Sequence, residues 1–283
     1  MQILGIVNLT RDSFSDGGRF LGSDSALAHA RRLVADGADA IDLGAESTHP
    51  DAEDVSAEEE ITRLTPVVRA LRDEGVRVSV DTYKAAVIRA MLSLGVEIIN
   101  DVTALRDPEA VAAVRDTTAR VILMHSTASG ARAERVRVDS TTVMERIVGF
   151  FERRIAELEA AGVARRRLIL DPGMGFFLGR NADVSIAVLA NLKRLADFGL
   201  PRCVSTSRKS FLGALLGDRS VAERGAGTLA SELWATASGV EFIRTHDVRA
   251  LRDAVAVWRA IEQARREFSE GELLDEKPSP SPS

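Results

Sequence analysis

Five short, acceptor-rich side chains, Asn8, Asp42, Asp81, Asn100 and Asp171, stand in or at the end of short apolar runs of this 283-residue chain. Gathered at one rigid site, they suit a planar, nitrogen-rich ring with several N–H donors, an amino-pterin or purine-like ring, because a buried carboxylate needs a strong partner. A second set, Arg208, Lys209, Arg244 and His246, is cationic or can become so. It suits a phosphate-type anion, especially with a helix start expected just after Lys209. Any single Asp or Asn could be a helix cap instead, and Arg208-Lys209 could be a solvated surface pair.

The elements that must position these residues recur along the chain. Eight β-branched runs read as strands buried on both faces: Gln2–Val7, Ala40–Leu43, Val76–Val80, Glu97–Asn100, Arg120–Met124, Leu168–Leu170, Arg202–Ser205 and Glu241–Arg244. Helical stretches separate them, at Ser25–Asp36, Ala57–Glu74, Ala85–Leu94, Pro108–Asp116, Thr142–Ala161, Val184–Asp197, Thr228–Ser238 and Val248–Glu267. Several end in glycine, as at Gly37, Gly75, Gly95, Gly162 and Gly239, which suits the left-handed C-cap.

Eight βα units in series predict an α/β fold of the closed (β/α)8 TIM-barrel type, a single domain over residues 1–268. A doubly wound open sheet is the alternative, but no G-x-G-x-x-G follows the first strand. Residues 269–283 are acidic and then Pro/Ser-rich, and read as a disordered tail. In a barrel the strands deliver their C-terminal ends to one face. Every expected strand carries polar or ionisable groups to that end, which helix capping alone does not explain.

Composition excludes other chemistries. The single cysteine, Cys203, permits neither an internal disulfide nor a cysteine zinc site, and it falls inside an apolar strand as a core residue. The four histidines form no H-x-x-x-H pair, and there is no G-x-S-x-G elbow. With 37 Lys+Arg against 42 Asp+Glu, the net charge of −5 argues against a nucleic-acid partner. No run approaches the ~18 apolar residues of a membrane span. The N-terminal residues lack a basic leader, so a cytoplasmic protein is expected.

The strand ends also form an ordered series of motifs. Gly5-Ile6-Val7-Asn8-Leu9-Thr10-Arg11-Asp12-Ser13-Phe14-Ser15-Asp16-Gly17-Gly18 resembles the first signature of the dihydropteroate synthases. Asp42-Leu43-Gly44-Ala45-Glu46-Ser47-Thr48-His49-Pro50 resembles the second. Ser79-Val80-Asp81-Thr82, Ile98-Ile99-Asn100-Asp101-Val102, Met124-His125, Asp171-Pro172-Gly173-Met174-Gly175-Phe176, Ser207-Arg208-Lys209-Ser210 and Arg244-Thr245-His246-Asp247-Val248 follow in family order, over roughly residues 1 to 262.

The resemblance implies an enzyme joining 6-hydroxymethyl-7,8-dihydropterin pyrophosphate to p-aminobenzoate with release of pyrophosphate. By it, Asp81, Asn100, Asp171 and Lys209 hold the pterin, and Asp81, Asp171 and Lys209 are catalytic. Asn8, Arg244 and His246 hold the pyrophosphate, with Mg²⁺ near Asn8. Thr48, His49, Phe176, Phe177 and Ser207 border the aminobenzoate, and the first two loops close over the site. Members are homodimers through their last helices, and Leu251, Val255, Val257, Trp258 and Ile261 could serve a dimer here or pack on the barrel.

Departures from the family pattern cluster on the aminobenzoate side. His49 stands in place of Arg, Arg11 in place of Pro, Phe177-Leu178 in place of Gly-Lys, and Ser205 in place of a smaller residue. His49-Pro50-Asp51-Ala52, Asp171-Pro172-Gly173-Met174-Gly175-Phe176-Phe177-Leu178 and Ser210-Phe211-Leu212-Gly213-Ala214 resemble the sulfonamide-insensitive branch of the family. The other readings are a relative without synthase activity or with another aryl amine, a pterin-binding methyltransferase module, and a non-enzymatic pterin-binding protein.

Overall fold

Nearly continuous Val, Ile and Leu runs cannot present a polar face, so they pair where both sides are covered. A computed structural model describes residues 1–9, 19–49, 51–128 and 130–275. In it the eight runs are β1 (Gln2–Asn8), β2 (Ala40–Gly44), β3 (Val78–Asp81), β4 (Ile98–Asp101), β5 (Arg120–Met124), β6 (Leu168–Asp171), β7 (Cys203–Val204) and β8 (Phe242–Thr245). They form one parallel sheet in the order β6-β5-β4-β3-β2-β1-β8-β7. A lone parallel bridge, Leu170 to Arg202, joins its two edges and makes the TIM barrel. Leu170 N–H donates to the Pro201 carbonyl across that join at 2.9 Å. Proline offers no N–H in return, which keeps the join short.

The helices are α1 (Arg19–Ala35), α2 (Ala57–Asp73), α3 (Ala85–Ser93), α4 (Pro108–Arg115), α5 (Val143–Ala160), α6 (Ala182–Ala190), α7 (Ser210–Leu215), α8 (Gly225–Ala237) and α9 (Val248–Asp275). Most lay an apolar stripe on the barrel, whereas α8 buries Thr228, Ser231, Glu232, Ala235 and Thr236. In α2, capped by Ser56 Oγ accepting the Glu59 N–H at 3.1 Å, the stripe is Leu64, Val67, Val68 and Leu71. Inside the barrel, Leu4, Ala40, Ile98, Ile122, Ile169, Cys203 and Phe242 form one closed layer. Arg120 caps it from below, its guanidinium 4.8 Å from the Phe242 ring. Cys203 is therefore the core residue expected.

Several element bounds differ from expectation for physical reasons. Six strands run one residue further, onto Asn8, Gly44, Asp81, Asp101, Asp171 and Thr245, because ladder pairing outlasts the apolar pattern. β7 keeps only two residues. The stretch Val184–Asp197, expected as one helix, breaks at Asn191 into α6 and a 3-10 turn over Leu192–Phe198. The helix start expected just after Lys209 is there, as the six-residue α7, whose end the sequence did not mark. The boundary set at residue 268 falls inside α9, whose backbone stays helical to Asp275. Residues 276–283, the rest of the expected tail, lie outside the described residues, as does the first signature loop from Thr10 to Gly18 with Arg11.

Candidate active site

Parallel register decides which side chains meet inside the barrel. Asp42 pairs with Ser79, and Asp81 with Asn100. These residues alternate with outward-facing ones, so they stand above the apolar layer on its inner wall. Here the polar groups are strangely unemployed. Both amide atoms of Asn100, the Ser79 hydroxyl and Asp42 Oδ1 are buried without a hydrogen-bond partner. Folding rarely leaves such groups orphaned unless something else engages them.

Arg244, from β8, crosses to this wall. Its Nε donates to Asp42 Oδ2 at 2.9 Å, and its Nη2 donates to the same oxygen and to Asp81 Oδ2 at 2.8 Å. The expected cationic and acidic pockets are thus joined through Arg244. The neighbouring carboxylates raise the pKa of its guanidinium. Asp171, at the end of β6, accepts the Gly173 N–H at 2.8 Å. Burial outweighs the nearby cations and pushes Asp81 and Asp171 each up to about 6. Burial and Arg244 bring Lys209 down to about 8.

Lys209 lies 5.0 Å from the centre of the Phe177 ring. Next to it, Ser207 is bonded to His246, the Oγ to Nδ1 distance being 2.9 Å. Desolvation, then Arg208 and Arg244, lower His246 to about 4, so its imidazole is neutral at pH 7. These residues line one cavity of about 550 Å³ together with Asn8, Thr48, Asp81 and Asp171.

The outer wall comes from loops clamped to one another. Lys84 Nζ donates to Glu46 Oε2 and the Val55 carbonyl, both at 2.5 Å, and to Glu60. Arg132 reaches Asp54 at 2.7 Å, and Arg135 Nη1 reaches Asp51 Oδ1 at 3.1 Å. Ala133 N–H donates to the Thr48 carbonyl at 3.1 Å. These ties hold the second loop against the segments after β3 and β5. His49 meets Phe176 edge to face, ring centres 6.1 Å apart, with Arg135 5.7 Å over the same ring. Phe177 is buried among Val102, Met124 and Ala133, and its carbonyl accepts the Thr127 N–H at 2.8 Å.

The turn that carries both phenylalanines depends on Gly173. Its φ is +76°, and a Cβ there would lie 2.3 Å from the His125 carbonyl oxygen.

Every candidate named from the sequence, from Asn8 to His246, is thus in or beside one cavity. Sequence reasoning placed Asp42 in the ring pocket, where it instead bonds Arg244, and assigned no site role to Ser79 or Arg135. A signal existed for Ser79, which precedes Asp81 by two positions and so shares its face. No local signal marks Asp42 and Arg244 as partners, 202 residues apart. Among the described residues no cluster of three metal-ligating side chains occurs, and no helix is long and apolar enough to cross a membrane.

Comparison with known proteins follows the same residues. The family described as "Pterin binding enzyme" matches residues 4–246. The chain is 48% identical over 265 residues to the dihydropteroate synthase type-2 of Escherichia coli, covering 93% of this chain and 97% of that protein. It is 39% identical to the type-1 enzyme of the same organism, covering 97% of this chain and 99% of that protein. A structure of Xanthomonas albilineans dihydropteroate synthase with 4-aminobenzoic acid superposes with a TM-score of 0.85 at 41% identity, covering 92% of this chain and 93% of that one.

Proposed function

From the premise that this chain belongs to the pterin-binding enzymes and is a dihydropteroate synthase, we propose a specific division of labour among its residues and a site that disfavours sulfonamides. The observation that carries the pterin assignment is the orphaned Asn100 carboxamide, in register with Asp81 on the next strand. A reduced pterin offers ring N–H, amino and carbonyl groups that would satisfy it, Asp171 and Lys209 at once. The Xanthomonas albilineans enzyme has also been solved with 7,8-dihydropteroate, at 40% identity to this chain and a TM-score of 0.81.

In the reaction the C–O bond between the pterin methylene and pyrophosphate breaks, and the aminobenzoate nitrogen bonds to that carbon, then loses a proton. Asp81 and Asp171, ionised at pH 7, favour the positive charge that develops on the pterin as the bond lengthens. His246, held by Ser207, and Arg244 face the departing pyrophosphate. Thr48, His49, Phe176, Phe177 and Ser207 border the arylamine.

Mg²⁺ fits this donor set in a limited way. Asn8 is exposed at the end of β1 and offers one amide oxygen, and Mg²⁺ commonly takes one or two protein oxygens with waters and substrate phosphates. When bound there, Mg²⁺ would neutralise charge on the leaving group.

Reduced sulfonamide sensitivity rests on Phe177. Its ring fills the wall between Lys209 and the Val102–Met124–Ala133 cluster, and a ring of that size would crowd a sulfonamide's outer substituent more than the smaller aminobenzoate. We also assign the exposed Val257 and Ile261 of α9 to a homodimer contact. Leu251 and Val255, candidates from the same pattern, are spent on the barrel.

A pyrophosphate-release assay with pterin pyrophosphate, Mg²⁺ and p-aminobenzoate tests the whole reading. Release dependent on aminobenzoate, and weak inhibition by sulfamethoxazole, are expected. Binding without release would sink the synthase assignment, and inhibition as tight as in an ordinary synthase would sink the second part.

A further inference from the structure

Ser207 and Lys209 flank Arg208, whose backbone is left-handed, φ 58°. A long L-side chain in that region is strained, and the strain persists only when the surroundings impose it. They do so from outside the barrel. The Arg208 N–H donates to Thr228 Oγ1 in α8 at 3.0 Å. The Arg208 carbonyl accepts Arg224 Nη1 at 2.9 Å. One turn along α8, the Ser231 hydroxyl donates to Thr206 Oγ1 at 2.8 Å.

Arg224 completes its own fork by donating Nε to the Arg219 carbonyl at 3.0 Å. It can do so because it lies across Gly213 of α7. A Cβ at 213 would approach Nη2 to 2.6 Å and Nε to 2.7 Å. The glycine, the arginine and the strained turn therefore form one device, joining α7, α8 and the loop after β7.

We propose that Arg224 is a positioning residue for the synthase reaction. It clamps the Arg208 carbonyl while Thr228 holds the amide, and so fixes Ser207 and Lys209 at the spacing one pterin pyrophosphate requires. A planar guanidinium can serve two carbonyls at fixed angles, which a lysine ammonium on a flexible stem does not. The proposal rests on Ser207 and Lys209 touching substrate, so Lys209→Ala is measured beside it.

The experiment compares Arg224→Gln, Thr228→Val, Arg208→Gly and the double variant Arg208→Gly/Arg224→Gln as purified full-length enzymes. Rates are normalised to the fraction that binds pterin pyrophosphate at saturation. Arg224→Gln should lower kcat/KM for pterin pyrophosphate on the order of ten-fold, a loss the size of one left-handed residue's strain, with the aminobenzoate KM little changed. In the Arg208→Gly background the same change should cost at most about two-fold, because glycine takes left-handed backbone freely.

Wild-type parameters for Arg224→Gln would overturn the clamp. So would an equal loss in both backgrounds, which assigns Arg224 to general stability. If Arg224→Gln does not fold, Thr228→Val reads the clamp from its other end, and unchanged parameters there overturn it equally. Full activity in Lys209→Ala would instead overturn the site reading beneath it.

Discussion

Ser207 and His246 hold each other twice: the Ser207 hydroxyl accepts the His246 backbone N–H at 3.1 Å and lies 2.9 Å from its Nδ1. A hydroxyl that accepts from the backbone has its own proton free for Nδ1. With the hydroxyl donating to Nδ1, the imidazole proton sits on Nε2. Ser207→Ala would release both the ring and its tautomer. The expected result is a three- to ten-fold rise in KM for pterin pyrophosphate, roughly the worth of one hydrogen bond, with a thermal midpoint near that of the parent. An unchanged KM would show that the pair is only structural.

The pH profile should be bell-shaped. Asp81 and Asp171 are raised to about 6, so the ionised forms that favour a cationic pterin disappear as pH falls through 6. Lys209, lowered to about 8, loses its charge as pH rises through 8. The profile of kcat/KM for pterin pyrophosphate should therefore show limbs near 6 and near 8, the acid limb belonging to the two carboxylates together. Lys209→Arg should push the alkaline limb upward. A flat profile between pH 5 and 9 would contradict these roles.

Asn100→Leu separates folding from function. The change removes two buried polar atoms with no partner, so unfolding by urea should show stability unchanged or raised by about 1 kcal/mol. Pterin affinity, measured by calorimetry, should fall at least about ten-fold. Loss of stability together with loss of binding would mean that the amide serves the fold.

Phe177→Ala tests sulfonamide rejection. Removing a buried ring from among Val102, Met124 and Ala133 should cost roughly 3 kcal/mol of stability. Sulfamethoxazole inhibition should tighten by about ten-fold or more, with a smaller change in the aminobenzoate KM. Equal shifts for drug and substrate would deny the ring a discriminating role.

Val257→Asp combined with Ile261→Asp should leave the barrel folded, since both side chains are exposed, at 62% and 61%. Sedimentation is expected to report a dimer for the parent and a monomer for the variant. A parent that is monomeric at micromolar concentration would dispose of the dimer.

Much of this barrel is legible in the sequence because its strands are buried on both faces, and burial writes itself as unbroken Val, Ile and Leu. What escapes is set by the third dimension. The ladder carries β3 onto Asp81 and β6 onto Asp171 although each Asp reads locally as loop. A six-residue helix such as α7 is too short to show a period. The candidate site was readable as a set of strand ends. Its wiring was not: no spacing announces that Arg244 will bond Asp42 and Asp81, or that Arg135 will lie over Phe176. Such pairings are decided by which strands become neighbours.

The single bridge between β6 and β7 leaves one stave of the barrel loosely fastened. Asp171 closes the stave on one side of that seam, and Lys209 follows the stave on the other. A pterin held by both would span the gap like a bolt. Amides beside the seam should then breathe in the empty enzyme and exchange with heavy water faster than those of β2 or β3, and the bound ring should slow them. The substrate would be the fastener that finishes the barrel.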